Sequence, residues 1–150
     1  MVTKQIDSNS TEDTLSLAHR VGVKLKGGEI IELLGDLGSG KTTFVSGLVK
    51  GAGSSDIVSS PTFMIKKEYH APNLEIYHFD FYRLDKSDLI VHELSDAISQ
   101  PESVIIIEWP KVIKLPKLGT KISFEFNYEA DINKRHIEIK YDEKLGYLID

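Results

Sequence analysis

The chain has 150 residues, 41% of them hydrophobic, and a net charge of −5. That is the size of one ordinary domain with enough apolar residues for a real core. The acidic balance, with a pI near 5.5, argues against a generic nucleic-acid binder, and 15 lysines against 3 arginines leave no arginine cluster for a phosphate or RNA patch.

There is no cysteine, which excludes a disulfide framework and thiolate metal sites and is compatible with a reducing compartment. Met1 is followed by Val-Thr-Lys-Gln-Ile-Asp, without an apolar signal core. The longest apolar run, Val104 to Ile107, is far too short to span a membrane. A soluble cytoplasmic protein with no membrane partner is expected.

Ser8-Asn9-Ser10-Thr11-Glu12 reads as a helix start, with a hydroxyl cap ahead of acidic first-turn residues. Leu15, Ala18, Val21, Gly22 and Leu25 continue a helical stripe, which Gly27-Gly28 should end. Glu29 to Leu34 reads as a short buried strand. It leads into Gly35-Asp36-Leu37-Gly38-Ser39-Gly40-Lys41-Thr42, which fits G-x-x-x-x-G-K-[ST]. A helical pattern follows, with Phe44, Leu48 and Val49, and stops near Gly51-Ala52-Gly53.

Strand, glycine loop and helix are the context in which this motif, the P-loop, has meaning. Its glycines permit positive φ and a close approach of the backbone to an anion. The amides of Leu37, Gly38, Ser39, Gly40, Lys41, Thr42 and Thr43 can form an anion nest at the positive end of a helix. Lys41 is a point charge placed to reach β- and γ-phosphates. The Thr42 hydroxyl is a hard ligand suited to Mg²⁺.

Ser54 to Pro61 is a polar loop. Thr62 to His70 and Leu74 to Tyr82 read as strands joined by the turn Ala71-Pro72-Asn73, a hairpin. Asp85 to Gln100 looks mostly helical. Ser103 to Ile107 is a continuous apolar run, as in a strand buried on both faces. Thr120 to Asn127 and Arg135 to Tyr141 alternate and should pair antiparallel. The tail from Leu145 to Asp150 is weakly defined. The expected fold is α/β, a P-loop NTPase-like three-layer sandwich around a mixed parallel and antiparallel sheet.

A P-loop binds phosphate but needs an acid at a neighbouring strand end to hold or orient Mg²⁺. Glu108 directly follows the most buried strand, and Asp80 lies near the end of another. An acid abutting such an apolar run is costly unless paired or metal-bound; the plainer readings are a strand-end cap for Glu108 and an edge-strand surface acid for Asp80. Which acid would bind metal and which would orient water stays open. Thr62, in the loop after the P-loop helix, is placed to sense a γ-phosphate as switch threonines do, or is a plain turn residue. Trp109 packs on the nucleotide side of the strand end or is a rim aromatic. His78 and Asp80 share a face with H-x-D spacing, and a buried or cross-strand histidine fits better than a metal ligand.

Four motifs in order carry a family resemblance: Gly35 to Phe44, Ser60-Pro61-Thr62-Phe63, Tyr77-His78-Phe79-Asp80-Phe81-Tyr82-Arg83-Leu84, and Ile107-Glu108-Trp109-Pro110. They resemble TsaE (formerly YjeE), the small bacterial ATPase family of tRNA threonylcarbamoyladenosine synthesis, over roughly Ser8 to Lys140. The resemblance implies a single P-loop ATPase domain over 1–150 that binds ATP or ADP with Mg²⁺. It implies weak hydrolysis alone, and work with the transferase TsaD and its paralogue TsaB on tRNA adenosine 37, with tRNA reached through the complex. By position it implies Lys41, Asp80 and Glu108 as catalytic residues and Thr42 and Glu108 as metal ligands. It places Thr11 near adenine and Trp109 and Lys111 close to the nucleotide. The C-terminal basic position corresponds to Lys134-Arg135, which implies Arg135 at the nucleotide, with Asn133 in place of the family's usual glycine.

Three other classes compete. A small-molecule kinase needs basic lid residues, and Arg20, Arg83 and Arg135 are scattered. A GTPase needs Asn-Lys-x-Asp, and Asn133-Lys134-Arg135-His136 ends in histidine. A nucleotide-sensing scaffold would hydrolyse only incidentally.

Overall fold

In a computed structural model the described residues are 1–59, 65–82, 88–112 and 118–150. They form one seven-stranded mixed sheet in the order β1-β7-β6-β2-β5-β4-β3. The strands are β1 (Val2–Ser8), β2 (Ile30–Leu34), β3 (Lys66–His70), β4 (Glu75–Asp80), β5 (Ser103–Glu108), β6 (Lys121–Tyr128) and β7 (Arg135–Tyr141). The helices are α1 (Thr11–Val23), α2 (Lys41–Gly51) and α3 (Asp88–Ile98), with a short 3₁₀ turn at Glu143–Leu148.

β2 is central and runs parallel to both neighbours, β5 and β6. β4 is parallel to β5, while β3–β4, β6–β7 and β1–β7 are antiparallel. The predicted hairpin of β3 with β4 and the pairing of β6 with β7 are both present.

Strand alternation divides the core between two faces. Ile31, Leu33, Ile76, Val104, Ile106, Phe124 and Ile139 pack with α1 and α2. Ile30, Phe79, Ile105 and Ile107 pack with Ile90, Leu94 and Ala97 of α3. Phe44 of α2 is fully buried and meets Phe124 and Phe126 at centroid distances of 4.5 and 5.6 Å. Truncating such an aromatic to alanine costs about 3–5 kcal/mol.

α1 begins as its sequence predicts. Ser10 is extended, and its side chain accepts from the Asp13 amide at 3.1 Å while Asp13 accepts from the Asn9 amide at 3.0 Å, a reciprocal cap. The helix stops at Val23 rather than at Gly27-Gly28. Leu25 is buried after the chain has already left the helix, so the apolar stripe outlasts the helical backbone. α1 and α2 cross closely because a Cβ at Gly47 would lie 2.6 Å from the Leu15 carbonyl oxygen.

The structure adds three points to the sequence reading. Val2–Ser8, given no element from sequence, is an edge strand on β7. Asp80 lies on β4, one strand in from the edge, and is buried rather than on the surface. The tail is ordered: Leu145 and Leu148 join the core, and Tyr147 donates to Glu29 at 2.6 Å. No described helix is long and apolar enough to cross a membrane.

Candidate functional site

The site forms where β2 runs into α2. Gly35, Gly38 and Gly40 have φ of 137°, 75° and 115°, all in the region that favours glycine. A Cβ on Gly35 would stand 2.7 Å from Ser39 Oγ and 2.8 Å from the Phe126 carbonyl oxygen. Gly40 precedes α2 with no side-chain cap, so amides of the first turn remain available to an anion.

Parity brings the acids to this helix start. On β4, Ile76 faces α1 and α2, so His78 and Asp80 share that face. On β5, Val104 and Ile106 do the same, and Glu108 follows them. Asp80 and Glu108 are paired in register. Lys41, Thr42, Asp80, Glu108 and Trp109 consequently line one cleft of about 240 Å³ with Gly38 and Gly40.

The electrostatics are those of a charged group of side chains out of water. Burial pushes the Lys41 ammonium below the ordinary lysine range, against the pull of Glu108, Asp80 and Asp36. For Glu108 burial acts to raise the carboxyl, but His78, Lys41 and Asp80 outweigh it and hold it below the usual range. Glu108 is 3% exposed, and its Oε1 has no hydrogen-bond partner among the described residues. Asp80 accepts from the Tyr82 amide at 2.9 Å. Lys41 donates to the Gly35 carbonyl oxygen at 2.5 Å, and its Nζ lies 4.0 Å from the centroid of Trp109. Trp109 itself has φ of 57° and packs on Tyr82 at 4.9 Å.

A second recess lies on the far side of the glycine loop. Thr11 lines it with Ser39, Thr43, Asn133 and Arg135. Arg135 is committed to the loop backbone: Nε donates to the Ser39 carbonyl oxygen at 2.9 Å, and another nitrogen lies 3.5 Å from that of Gly38. Its guanidinium stacks on Tyr128 at 4.4 Å, and Tyr128 donates to the Leu37 carbonyl oxygen at 2.7 Å. The β6–β7 hairpin thus grips the loop from behind. No local pattern in the sequence marks Tyr128. Its partner lies 91 residues away.

Lys111 is not brought into the cleft. It lines a separate, mostly apolar recess with Leu33, Asp36, Pro110 and Val112. Thr62 and Arg83 lie outside the described residues.

The cleft can therefore hold a polyanion on backbone amides and an ammonium, with two carboxylates and a hydroxyl at one end. An α/β sheet with a glycine loop between its central parallel strand and a helix, and acids at the adjoining strand ends, defines the P-loop class of domain. The comparisons narrow the class. The model of the family described as "Threonylcarbamoyl adenosine biosynthesis protein TsaE" matches residues 8–137. A "tRNA threonylcarbamoyladenosine biosynthesis protein TsaE" from Rickettsia conorii is 42% identical over 85% of this chain and 72% of its own length. One of the same name from Aquifex aeolicus is 35% identical over 91% of this chain and 95% of its own. The crystal structure of Bacillus subtilis YdiB superposes with a TM-score of 0.78 and 28% identity, over 99% of this chain and 94% of that one. The chain belongs to the TsaE family of tRNA threonylcarbamoyladenosine biosynthesis.

Proposed function

We propose that this chain is a single-domain, Mg²⁺-dependent ATPase that hydrolyses ATP weakly alone and serves tRNA adenosine 37 modification with TsaD and TsaB in the cytoplasm. The observation that carries this reading is the convergence of Lys41, Thr42, Asp80 and Glu108 on one cleft at the start of α2.

The amides from Leu37 to Thr43 bind the phosphates, and Lys41 leaves Trp109 to neutralise the β- and γ-oxygens. The partnerless Oε1 of buried Glu108 fits a hard cation, because an uncompensated carboxylate oxygen out of water is costly. Thr42 and Glu108 would hold the Mg²⁺, which when bound supplies charge neutralisation to the phosphates. Asp80, beside Glu108, orients the attacking water. Thr11 and the recess behind the loop face the adenosine side, and the missing Asn-Lys-x-Asp at 133–136 favours adenine over guanine. Thr62 is assigned γ-phosphate sensing by analogy with switch threonines; the family resemblance alone puts Lys111 near the nucleotide, and its separate recess lends that role no support.

The kinase alternative loses support from Arg135, whose guanidinium is spent on the carbonyls of Ser39 and Gly38. The proposal is tested by phosphate release from ATP with and without Mg²⁺, and by pull-down of TsaB and TsaD under ATP, ADP and no nucleotide. Hydrolysis lost in Glu108→Ala and association that changes with nucleotide are expected. Association indifferent to nucleotide would contradict the proposal, and a phosphorylated small molecule as product would replace it with the kinase reading. Glu108→Ala that spares tRNA modification while stopping turnover would leave only a nucleotide-sensing scaffold.

A further inference from the structure

His78 is 0% exposed, yet neither ring nitrogen has a hydrogen-bond partner among the described residues. A buried imidazole without partners is costly, and a leucine or phenylalanine would fill the same space without that cost. The obvious neighbouring partner is taken: Tyr69, whose ring lies 6.4 Å from that of His78, donates its hydroxyl to the Ser59 carbonyl oxygen at 3.2 Å. What His78 does face is Glu108. Its Nε2 stands 3.7 Å from Glu108 Oε2, inside ion-pair range and longer than a hydrogen bond. The other oxygen of the same carboxylate, Oε1, is the one left unmatched.

We propose that His78 is a positioning residue for Glu108, donating from Nε2 to Oε2 and so aiming Oε1 at a divalent cation. This inference rests on the metal-dependent reading above. Its physical basis is that carboxylates ligating a metal are themselves hydrogen-bonded, and that losing such a partner lowers metal affinity without touching the ligand. The register explains why this residue can act: His78 pairs with Ile106 and Asp80 with Glu108. His78 is therefore one step back along the same face, behind the carboxylate rather than in the cleft. It does not line the cleft beside the glycine loop, and so has no route to the phosphates except through Glu108.

The test is binding of Mn²⁺, followed by electron paramagnetic resonance in the presence of the non-hydrolysable ATP analogue AMPPNP. Affinity for the analogue alone is measured in parallel in EDTA. His78→Leu should weaken Mn²⁺ by about 10-fold or more while analogue binding in EDTA stays within about twofold, as expected for a group outside the phosphate site. A glutamine amide nitrogen reaches roughly where Nε2 lies and an asparagine nitrogen where Nδ1 lies. His78→Gln should therefore restore Mn²⁺ affinity and His78→Asn should not. If His78→Leu does not fold, the Gln and Asn variants decide between themselves, and equal Mn²⁺ affinity in the two overturns the inference. Unchanged Mn²⁺ affinity in His78→Leu also overturns it, while leaving the metal reading intact. If the wild-type chain adds nothing to Mn²⁺ binding by AMPPNP alone, the metal reading fails and this inference with it.

Discussion

The ammonium of Lys41 rests on the face of Trp109, 4.0 Å from the ring centroid, while donating to the carbonyl oxygen of Gly35. A desolvated cation on an indole gains about 0.5–2 kcal/mol, and burial already pushes Lys41 toward its neutral form. Lys41 Nζ is thus held between the Trp109 ring and the Gly35 carbonyl oxygen.

The chain contains one tryptophan, so this contact can be read directly. Lys41→Met should shift the emission maximum of Trp109 in the nucleotide-free protein. Lys50→Met, on the exposed last turn of α2, should not. Identical spectra for wild type and Lys41→Met would contradict the contact.

Arg135 grips the glycine loop through the carbonyls of Ser39 and Gly38 rather than reaching into the cleft. Arg135→Ala should lower ATP affinity by about 10-fold, the equivalent of one net hydrogen bond to a charged group. Turnover at saturation should change by less than about twofold, as expected for lost uniform binding. Arg135→Lys should recover little, because an ammonium cannot reproduce the forked and stacked contacts. Calorimetric titration with ATP and steady-state kinetics separate the two quantities.

Much of this site was legible in the sequence, and the reasons are local. The glycine loop, its lysine and its threonine are contiguous, and their flanking strand and helix are short-range patterns. Glu108 was visible because an acid follows a run of four apolar residues. What was not legible depends on distant partners. Val2–Ser8 has only two apolar residues, Val2 and Ile6, and becomes a strand by pairing with Arg135–Tyr141. Tyr128 and Arg135 acquire their role only when β6 and β7 pass behind the loop. Lys111 follows Trp109 by two residues, yet the left-handed backbone at Trp109 is followed by a turn into another recess. The end of α1 is not marked by the apolar pattern, because Leu25 keeps the helical spacing after the backbone has turned.

The C-terminal turn is fastened through a buried carboxylate. Glu29 accepts from the amides of Lys26 and Gly27 at 2.7 and 2.8 Å and from Tyr147 at 2.6 Å. Burial, and then Glu29, raise the Tyr147 hydroxyl well above the ordinary tyrosine range. Tyr147→Phe removes one donor from a charged acceptor and should cost about 1.5–3 kcal/mol, measured by urea unfolding. No change in midpoint would show that the Tyr147–Glu29 hydrogen bond does not stabilise the fold.

Glu108 makes stability depend on pH in a stated direction. Its carboxyl is held below the ordinary value of 4.5 in the folded chain. The unfolded state therefore binds its proton first as pH falls, and the contribution is present above pH 4.5 and lost as pH drops through the native value. The difference in unfolding free energy between wild type and Glu108→Gln should be constant from neutral pH down to about that point and shift against the wild type below it. A difference that stays flat into stronger acid would contradict the assignment.

On the proposed function, phosphate held by this loop drives the chain's part in tRNA modification. The most direct measurement is the threonylcarbamoyladenosine content of tRNA in cells whose own copy of this protein is replaced by the Lys41→Ala variant, expressed at the wild-type level. The modification should fall to the level of cells lacking the protein, while the wild-type chain restores it. Full modification with Lys41→Ala would contradict the account.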